Sequence, residues 1–320
     1  MKFLVVGGAG YIGSHMVKKL LSAGHEVEVA DNLSTGHCTK LVELDIADAQ
    51  ALDTLFAKHH FDAVFHFASF IQVGESVTEP AKYYQNNLAA TLTLLQAMVR
   101  AGVKHLVFSS SAAVYGEPLY TPIDEEHSKA PINPYGRSKW MVEQILEDFD
   151  RAYGLKSVCL RYFNAAGADP DGQLGERHEP ETHLLPLILQ AAAGRRTNIT
   201  VYGRDYDTPD GTCIRDYIHV VDLVAAHSLA VDYLLDGGAS TAFNLGNGQG
   251  FSVQQVIDTA RRVTGREIVT SEAPRRAGDP PRLVADARKV KALLGWQPQF
   301  TSLEQIVAHA WSWEQKYPWC

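Results

Sequence analysis

The glycine-rich segment Gly7-Gly8-Ala9-Gly10-Tyr11-Ile12-Gly13 constrains this chain more than any other stretch, because of what stands on either side of it. Lys2-Phe3-Leu4-Val5-Val6 reads as a short buried strand, and Ile12, Met16, Val17, Leu20 and Leu21 recur on one helical face. Strand, tight turn and helix in that order open a doubly wound parallel sheet. The glycines have separate expected tasks: Gly7 reverses the chain, Gly10 lets a pyrophosphate approach, and Gly13 packs the helix near the strand. The helix N-terminus offers unpaired N–H groups and partial positive charge to phosphates. Asp31 closes the next apolar stretch, Val27 to Ala30, where a carboxylate would receive ribose hydroxyls and repel a 2′-phosphate. NAD is therefore expected over NADP.

Strand-like runs at Leu41 to Leu44, Ala63 to Ala68, Leu106 to Ser109 and Ser157 to Leu160 alternate with helical patterns at Ala49 to Lys58, Pro80 to Ala101 and Tyr135 to Tyr153. Such alternation predicts a Rossmann-type α/β fold with helices on both faces. Its ligands lie outside the carboxyl ends of the strands, where Gly7, Asp31, Asp45, Phe67 and Ser111 fall. After about Asn164 the texture changes: a Gly/Pro-rich loop, 167–180, precedes a helix from Leu184 to Ala193 and a strand from Ile199 to Tyr202. Residues 1–163 are expected to form the dinucleotide domain and 164–320 a smaller α/β substrate domain, with some later segments returning to the first.

Tyr135 and Lys139 stand four residues apart and share a helical face. A tyrosine is a poor base at neutral pH; a nearby ammonium and a nicotinamide cation would favour its phenolate, so that it can take an alcohol proton. Ser111 follows an apolar strand and would hold the same oxygen. Lys139 could also bind the nicotinamide ribose. Arg215 and Arg276 lie in loop-like segments and match phosphate geometry; a surface salt bridge is the other fate of such residues.

Composition excludes several classes. With a net charge of −8 and no dense basic stripe, nucleic acid and anionic membranes are poor partners. No run approaches the roughly 18 apolar residues of a spanning helix, and the four cysteines form no CxxC pair. A soluble cytoplasmic chain with reduced thiols is expected. The 13 histidines stand mostly singly, without HExxH or a Cys/His cluster, so no metal is expected.

The motifs GGAGYIGSH, DNLSTGH, HFAS, VGES, YYQNN, FSSSAAVYG, PYGRSKWMVEQIL, LRYFNAAGA, DGTCIRDYIHVVDL and RRAGDP run in order from residue 7 to residue 280. With them the chain resembles the extended short-chain dehydrogenase/reductase family, in its UDP-glucose 4-epimerase branch. The resemblance implies reversible epimerisation at C4 of UDP-hexoses through a transient 4-keto sugar, with NAD regenerated each cycle. It makes Tyr135 the base, Lys139 its partner and Ser111 the hydroxyl that holds O4. It assigns cofactor contacts to Gly7, Gly10, Tyr11, Ile12, Gly13, Asp31, Asn32, Asp45, Ile46, Phe67, Ala68 and Asn86, with Tyr162 near the nicotinamide. It assigns the UDP-sugar to Asn164, Leu184, Tyr202, Arg215 and Arg276, with Leu283 bordering the C2 substituent.

A homodimer through the helices Asn87 to Arg100 and Tyr135 to Tyr153 is also implied. Ile71 and His183 depart from a lysine and an asparagine found in relatives, and the chain is shorter between Gly36 and Leu41. UDP-N-acetylglucosamine and UDP-pentoses are the alternative substrates. A 4,6-dehydratase fits less well, because Ala112-Ala113 stand where that family places Asp-Glu to eliminate water. A non-catalytic NAD-binding module predicts loss of Tyr or Lys, and both are present.

Overall fold

The computed structural model describes residues 1–34, 41–276 and 279–316. The shortened segment after Gly36 lies outside the described residues, as do Cys38 and Cys320. In chain order the strands are β1 (Lys2–Val6), β2 (Glu26–Asp31), β3 (Val42–Glu43), β4 (Ala63–His66), β5 (His105–Ser111), β6 (Lys156–Tyr162), β7 (Asn164–Ala166), β8 (Ile199–Tyr202), β9 (Ile214–His219), β10 (Thr241–Leu245), β11 (Gly250–Ser252), β12 (Thr270–Ala273) and β13 (Arg282–Leu283). The α-helices are α1 (Tyr11–Ser22), α2 (Ala49–Lys58), α3 (Val73–Thr78), α4 (Pro80–Tyr83), α5 (Thr91–Ala101), α6 (Pro134–Tyr153), α7 (Leu184–Ala192), α8 (Val220–Leu235), α9 (Val253–Thr264), α10 (Arg288–Leu294) and α11 (Leu303–Lys316).

A seven-stranded parallel sheet in the order β10-β6-β5-β4-β1-β2-β3 forms the first half, as the alternation predicts. Its central strands are apolar on both sides because both faces are covered. Phe3 and Val5 meet Met16 and Leu20 of α1 and the apolar face of α8. Leu4 and Val6 point the other way, toward Leu52 of α2, Leu94 of α5 and Val142 of α6. Leu21, expected on the buried face of α1, is 55% exposed; a helix lying on a sheet buries a narrower stripe than the hydrophobic pattern suggests.

The stretch read as one helix from Pro80 to Ala101 is interrupted. A π-helical segment, Tyr84–Ala90, separates α4 from α5. Such wide turns concentrate at functional sites, and this one carries Asn86 and Asn87. Buried Asn87 accepts from Phe70 N–H (2.9 Å) and donates to Phe70 O (3.0 Å), clamping the loop after β4.

In the second half, β9 pairs in parallel with β7 and β13 and antiparallel with β11, while β8 pairs with β12. Helices α7, α9 and α11 pack together over a separate apolar core. Between these pieces the chain crosses back: α8 covers the face that α1 covers, and β10 extends the main sheet beside β6. Arg215, expected in a loop, stands within β9.

Candidate active site

The carboxyl edge of the main sheet collects the expected cofactor residues. Gly7 and Phe67 directly follow β1 and β4, Asp31 and Ser111 end β2 and β5, and Asp45 lies two residues past β3. The three glycines of the first turn separate physically. Gly7 has φ +78°, and a Cβ there would come within 2.5 Å of Ala68 N; one on Gly13 would come within 2.1 Å of Gly7 O. Both are dictated by the fold. A Cβ on Gly10 would meet nothing nearer than 3.5 Å, and its φ of −80° suits any residue. Its bare Cα faces open space at the N-terminus of α1, where no side chain caps the helix. An anion resting on free N–H groups gives this glycine a reason that the fold does not.

Asp31 also organises the turn itself. Its carboxylate accepts N–H from Ala9 (2.9 Å) and Leu33 (2.8 Å), and each oxygen keeps a lone pair for a ribose hydroxyl. Asn32 donates to Asp45 (3.2 Å), and Ile46 is buried beside them. Tyr11 differs from its expected use: its hydroxyl donates to Gly167 O (2.7 Å), with burial first and then Glu176 and Glu181 holding its pKa well above the ordinary value. Only its backbone N–H, with that of Ile12, remains for a phosphate. Phe67 packs on His227, Ala68 borders the α2/α5 core, and Asn86 donates to Asn87 (3.0 Å).

Tyr135 reaches the same edge from α6. Asn133 caps that helix by accepting Gly136 N–H (2.8 Å). A Cβ on Gly136 would lie 2.4 Å from Ala113 O, so glycine lets the first turn of α6 lie against the turn that follows Ser111. Sequence reasoning missed Gly136, although its place inside Tyr-Gly-Arg-Ser-Lys was visible. Ser111 Oγ accepts Ala113 N–H (3.1 Å) and lies near enough to Tyr135 to lower the pKa of its phenol. Lys139, also buried, donates to Ser109 O (2.8 Å), with Nζ 5.9 Å from the Tyr135 ring centre.

Burial raises the Tyr135 pKa against the lowering effect of Ser111. Burial also lowers Lys139 to about 7, opposed by Glu143. Each ion is unfavourable alone in this dry spot, and formed together they support one another.

Behind the pair lies a buried polar network that the sequence did not disclose. Ser110 donates to Glu143 (2.5 Å), Glu143 receives the Arg161 guanidinium through both oxygens, and Arg161 donates to Tyr115 OH (2.9 Å), which donates to Asn244 (2.6 Å). It ties β5, α6, β6 and β10 together one residue from Ser111. Tyr162 is buried and bonded to Ser109, with its pKa raised by burial.

The expected sugar-side residues come from distant segments. Leu283 pairs in register with Arg215 and packs against the cluster of Ala112, Val114, Tyr115 and Ile123 that follows Ser111. Arg276 lies over the Tyr202 ring at 4.0 Å. Arg215 is already engaged: it donates to Ile214 O and Pro280 O (both 2.9 Å) and pairs with Asp279 at 3.3 Å. Asn164 is exposed at the start of β7, and half-buried Leu184 opens α7. His183 is turned toward Glu176. Although the sequence reading finds no ligand cluster, the structure brings Glu176, His178, Glu181 and His183 together, with one donor atom from each lying within 4.8 Å of the others. Glu-x-His-x-x-Glu-x-His was the visible signal.

Residues 3–246 match the NAD dependent epimerase/dehydratase family. The chain belongs to that family. It is 52% identical to the UDP-glucose 4-epimerase of Halalkalibacterium halodurans, over 99% of this chain and 97% of that one. It superposes on UDP-glucose 4-epimerase from Brucella ovis in complex with NAD with a TM-score of 0.95, at 50% identity over 97% of both chains. UDP-glucose 4-epimerase from Bifidobacterium longum in complex with NAD+ and UDP gives a TM-score of 0.94, at 40% identity over 99% of this chain and 98% of that one. Among the described residues no helix is long and apolar enough to cross a membrane.

Proposed function

We infer that this chain is an NAD-dependent enzyme that interconverts UDP-hexoses at C4, with UDP-glucose and UDP-galactose as the main pair. The observation that carries the reading is Ser111, Tyr135 and Lys139 gathered at the carboxyl edge of a sheet whose glycine turn leaves Gly10 open. That turn and Asp31 would hold NAD, which when bound would supply the acceptor, and then the donor, of the C4 hydrogen with its electron pair. Tyr135 takes the proton of the 4-hydroxyl and later returns it, while Ser111 holds O4 as charge develops there. Lys139, as ammonium, stabilises the phenolate. Arg215 and Arg276 hold the diphosphate, and the sugar presents first one face and then the other. Ala112 and Ala113 offer no acid or base for dehydration.

We propose that Leu283 sets substrate width. It packs against the cluster that follows Ser111, and a leucine leaves room where a tyrosine would not. Purified protein incubated with UDP-galactose, UDP-N-acetylglucosamine and a UDP-pentose, without added NAD, is expected to convert the first fastest and the second measurably. Leu283→Tyr should lower only the N-acetylated activity, by about 10-fold. Equal slowing of both, or no conversion of UDP-N-acetylglucosamine by the wild type, removes Leu283 as the gate.

Residues 164–320 are proposed to serve the UDP-sugar, with α8, β10 and α10 returning to the cofactor half. A homodimer through α5 and α6 is proposed as well: Met141 is 38% exposed on α6, and Trp140, Ile145 and Phe149 are only half-buried there. Light scattering should give twice the chain mass. A cytoplasmic location accords with Cys159 and Cys213, both free and buried, their thiol pKa values raised by burial.

A further inference from the structure

Outside the reaction centre, one cluster combines buried charge with metal-ligand chemistry. The loop after β7 brings Glu176, His178, Glu181 and His183 to one point, and the donor atoms lie within 4.8 Å of one another. The Glu176 and Glu181 side chains are only 6% and 4% exposed. Two carboxylates sharing so dry a spot repel each other and lose hydration unless a cation joins them. His178 Nδ1 is buried without a hydrogen-bond partner; it stands 3.4 Å from Glu176 and 3.5 Å from Glu181, close but poorly aligned for hydrogen bonding. His183 Nδ1 contacts Glu176 as well. Glu181 is held in place independently, one oxygen accepting N–H from Thr182 (2.7 Å) and His183 (2.9 Å). That leaves its other oxygen turned to the cluster.

We propose that Glu176, His178, Glu181 and His183 form a structural divalent-metal site of zinc type. Two neutral imidazoles and two carboxylates make a four-donor set whose two negative charges balance Zn²⁺, which takes nitrogen and oxygen ligands at about 2.0–2.2 Å in a tetrahedron. Donors on such a tetrahedron stand ~3.4 Å apart, within the span observed, so small rotations of the four side chains seat the ion. With four protein ligands the site is closed, and its role is to fasten the chain. It joins the loop of Glu176 to His183, the residue before α7, while Glu176 O accepts the Trp313 indole N–H of α11 (3.1 Å). The same loop accepts the Tyr11 hydroxyl at Gly167. The metal would therefore fix the entry to Leu184 on one side and the first helix of the dinucleotide turn on the other.

The test uses tag-free, full-length protein with its NAD. Elemental analysis should find about one zinc per chain. A strong chelator should lower the melting temperature, and added zinc chloride should restore it, as binding to the folded state alone requires. Cobalt(II) added to the stripped protein should give the visible absorption of a tetrahedral ion at one equivalent. His178→Ala and Glu181→Gln should each weaken zinc uptake by more than the roughly 10–100-fold that loss of an outer-shell partner costs. If the stripped wild type takes up neither zinc nor cobalt, protons alone hold the cluster and the proposal is overturned; uptake undiminished in both variants overturns it equally. Should the variants not fold, the cobalt spectrum of the wild type decides.

Discussion

The cofactor edge and the proposed sugar side of this molecule are built by opposite means. On the cofactor edge, function comes from backbone groups at strand ends, so a few adjacent residues specify it: Gly7 to Gly13 contain both the turn and the helix terminus. On the proposed sugar side, Tyr202, Arg215, Arg276 and Leu283 come from β8, β9, a connecting loop and β13; the β9–β13 pairing sets Arg215 beside Leu283, and the β8–β12 pairing precedes the contact of Arg276 with Tyr202. A local device survives being read in isolation, whereas an assembled one exists only once the chain has folded. The comparison also separates glycines that look alike, since Gly7 and Gly13 serve the fold and Gly10 is free to serve a ligand.

The sharpest way to break that distinction is to add one methyl group at two of these positions. Gly13→Ala forces a Cβ to 2.1 Å from a backbone oxygen and should cost about 3 kcal/mol or more, with loss of bound NAD. Gly10→Ala should keep its melting behaviour without NAD and lose only cofactor affinity. Equal thermal destabilisation of the two would show that Gly10 is structural. On the sugar side, Arg215→Ala should raise KM for the UDP-sugar by about 10–100-fold, the worth of a charge-assisted hydrogen bond of roughly 1.5–3 kcal/mol. Little change in kcat is expected. A variant that instead melts early with unchanged KM would assign Arg215 to its Asp279 contact alone.

Acid should weaken the cofactor half first. Burial lowers His66 to about 3, and His227 to about 4 against its hydrogen bond to Leu223. Both folded values lie below the ordinary 6.5, so the unfolded chain binds more protons between them. The stability they contribute is present above pH 6.5 and falls as pH drops toward 3–4, by up to about 1.4 kcal/mol per pH unit for each. In the second half His219, lowered to about 3, acts the same way, while Asp216, raised by burial to about 6, acts oppositely as acid relieves its buried charge. Denaturant titrations at pH 7.5 and 5.5 should show the loss, and His66→Gln should reduce its slope if that variant folds.

The sequence disclosed the sheet, its polarity and the Ser/Tyr/Lys constellation because hydrophobic period and glycine spacing are local properties. It missed the π-helical turn at Asn87, since the Pro80 to Ala101 pattern stays helical on either side. The Glu143–Arg161–Tyr115–Asn244 network was also invisible, because buried ions look like surface charges until their partners are known. Glu176 and His178 fall in the loop-like stretch 167–180, and their meeting with Glu181 and His183 appears only in the folded chain. Tyr11 and Asp31 were placed correctly at the turn, but part of what their side chains do is internal to the fold.

Tyr135, beside Ser111 at the end of β5, is proposed to move the proton of the 4-hydroxyl. The direct measurement is conversion of UDP-galactose by wild type and Tyr135→Phe, without added NAD, together with the dinucleotide content of each. Equal bound NAD and folding are expected, with turnover in the variant down by about 10²–10⁴-fold. Turnover near that of the wild type, with NAD retained, would contradict that role.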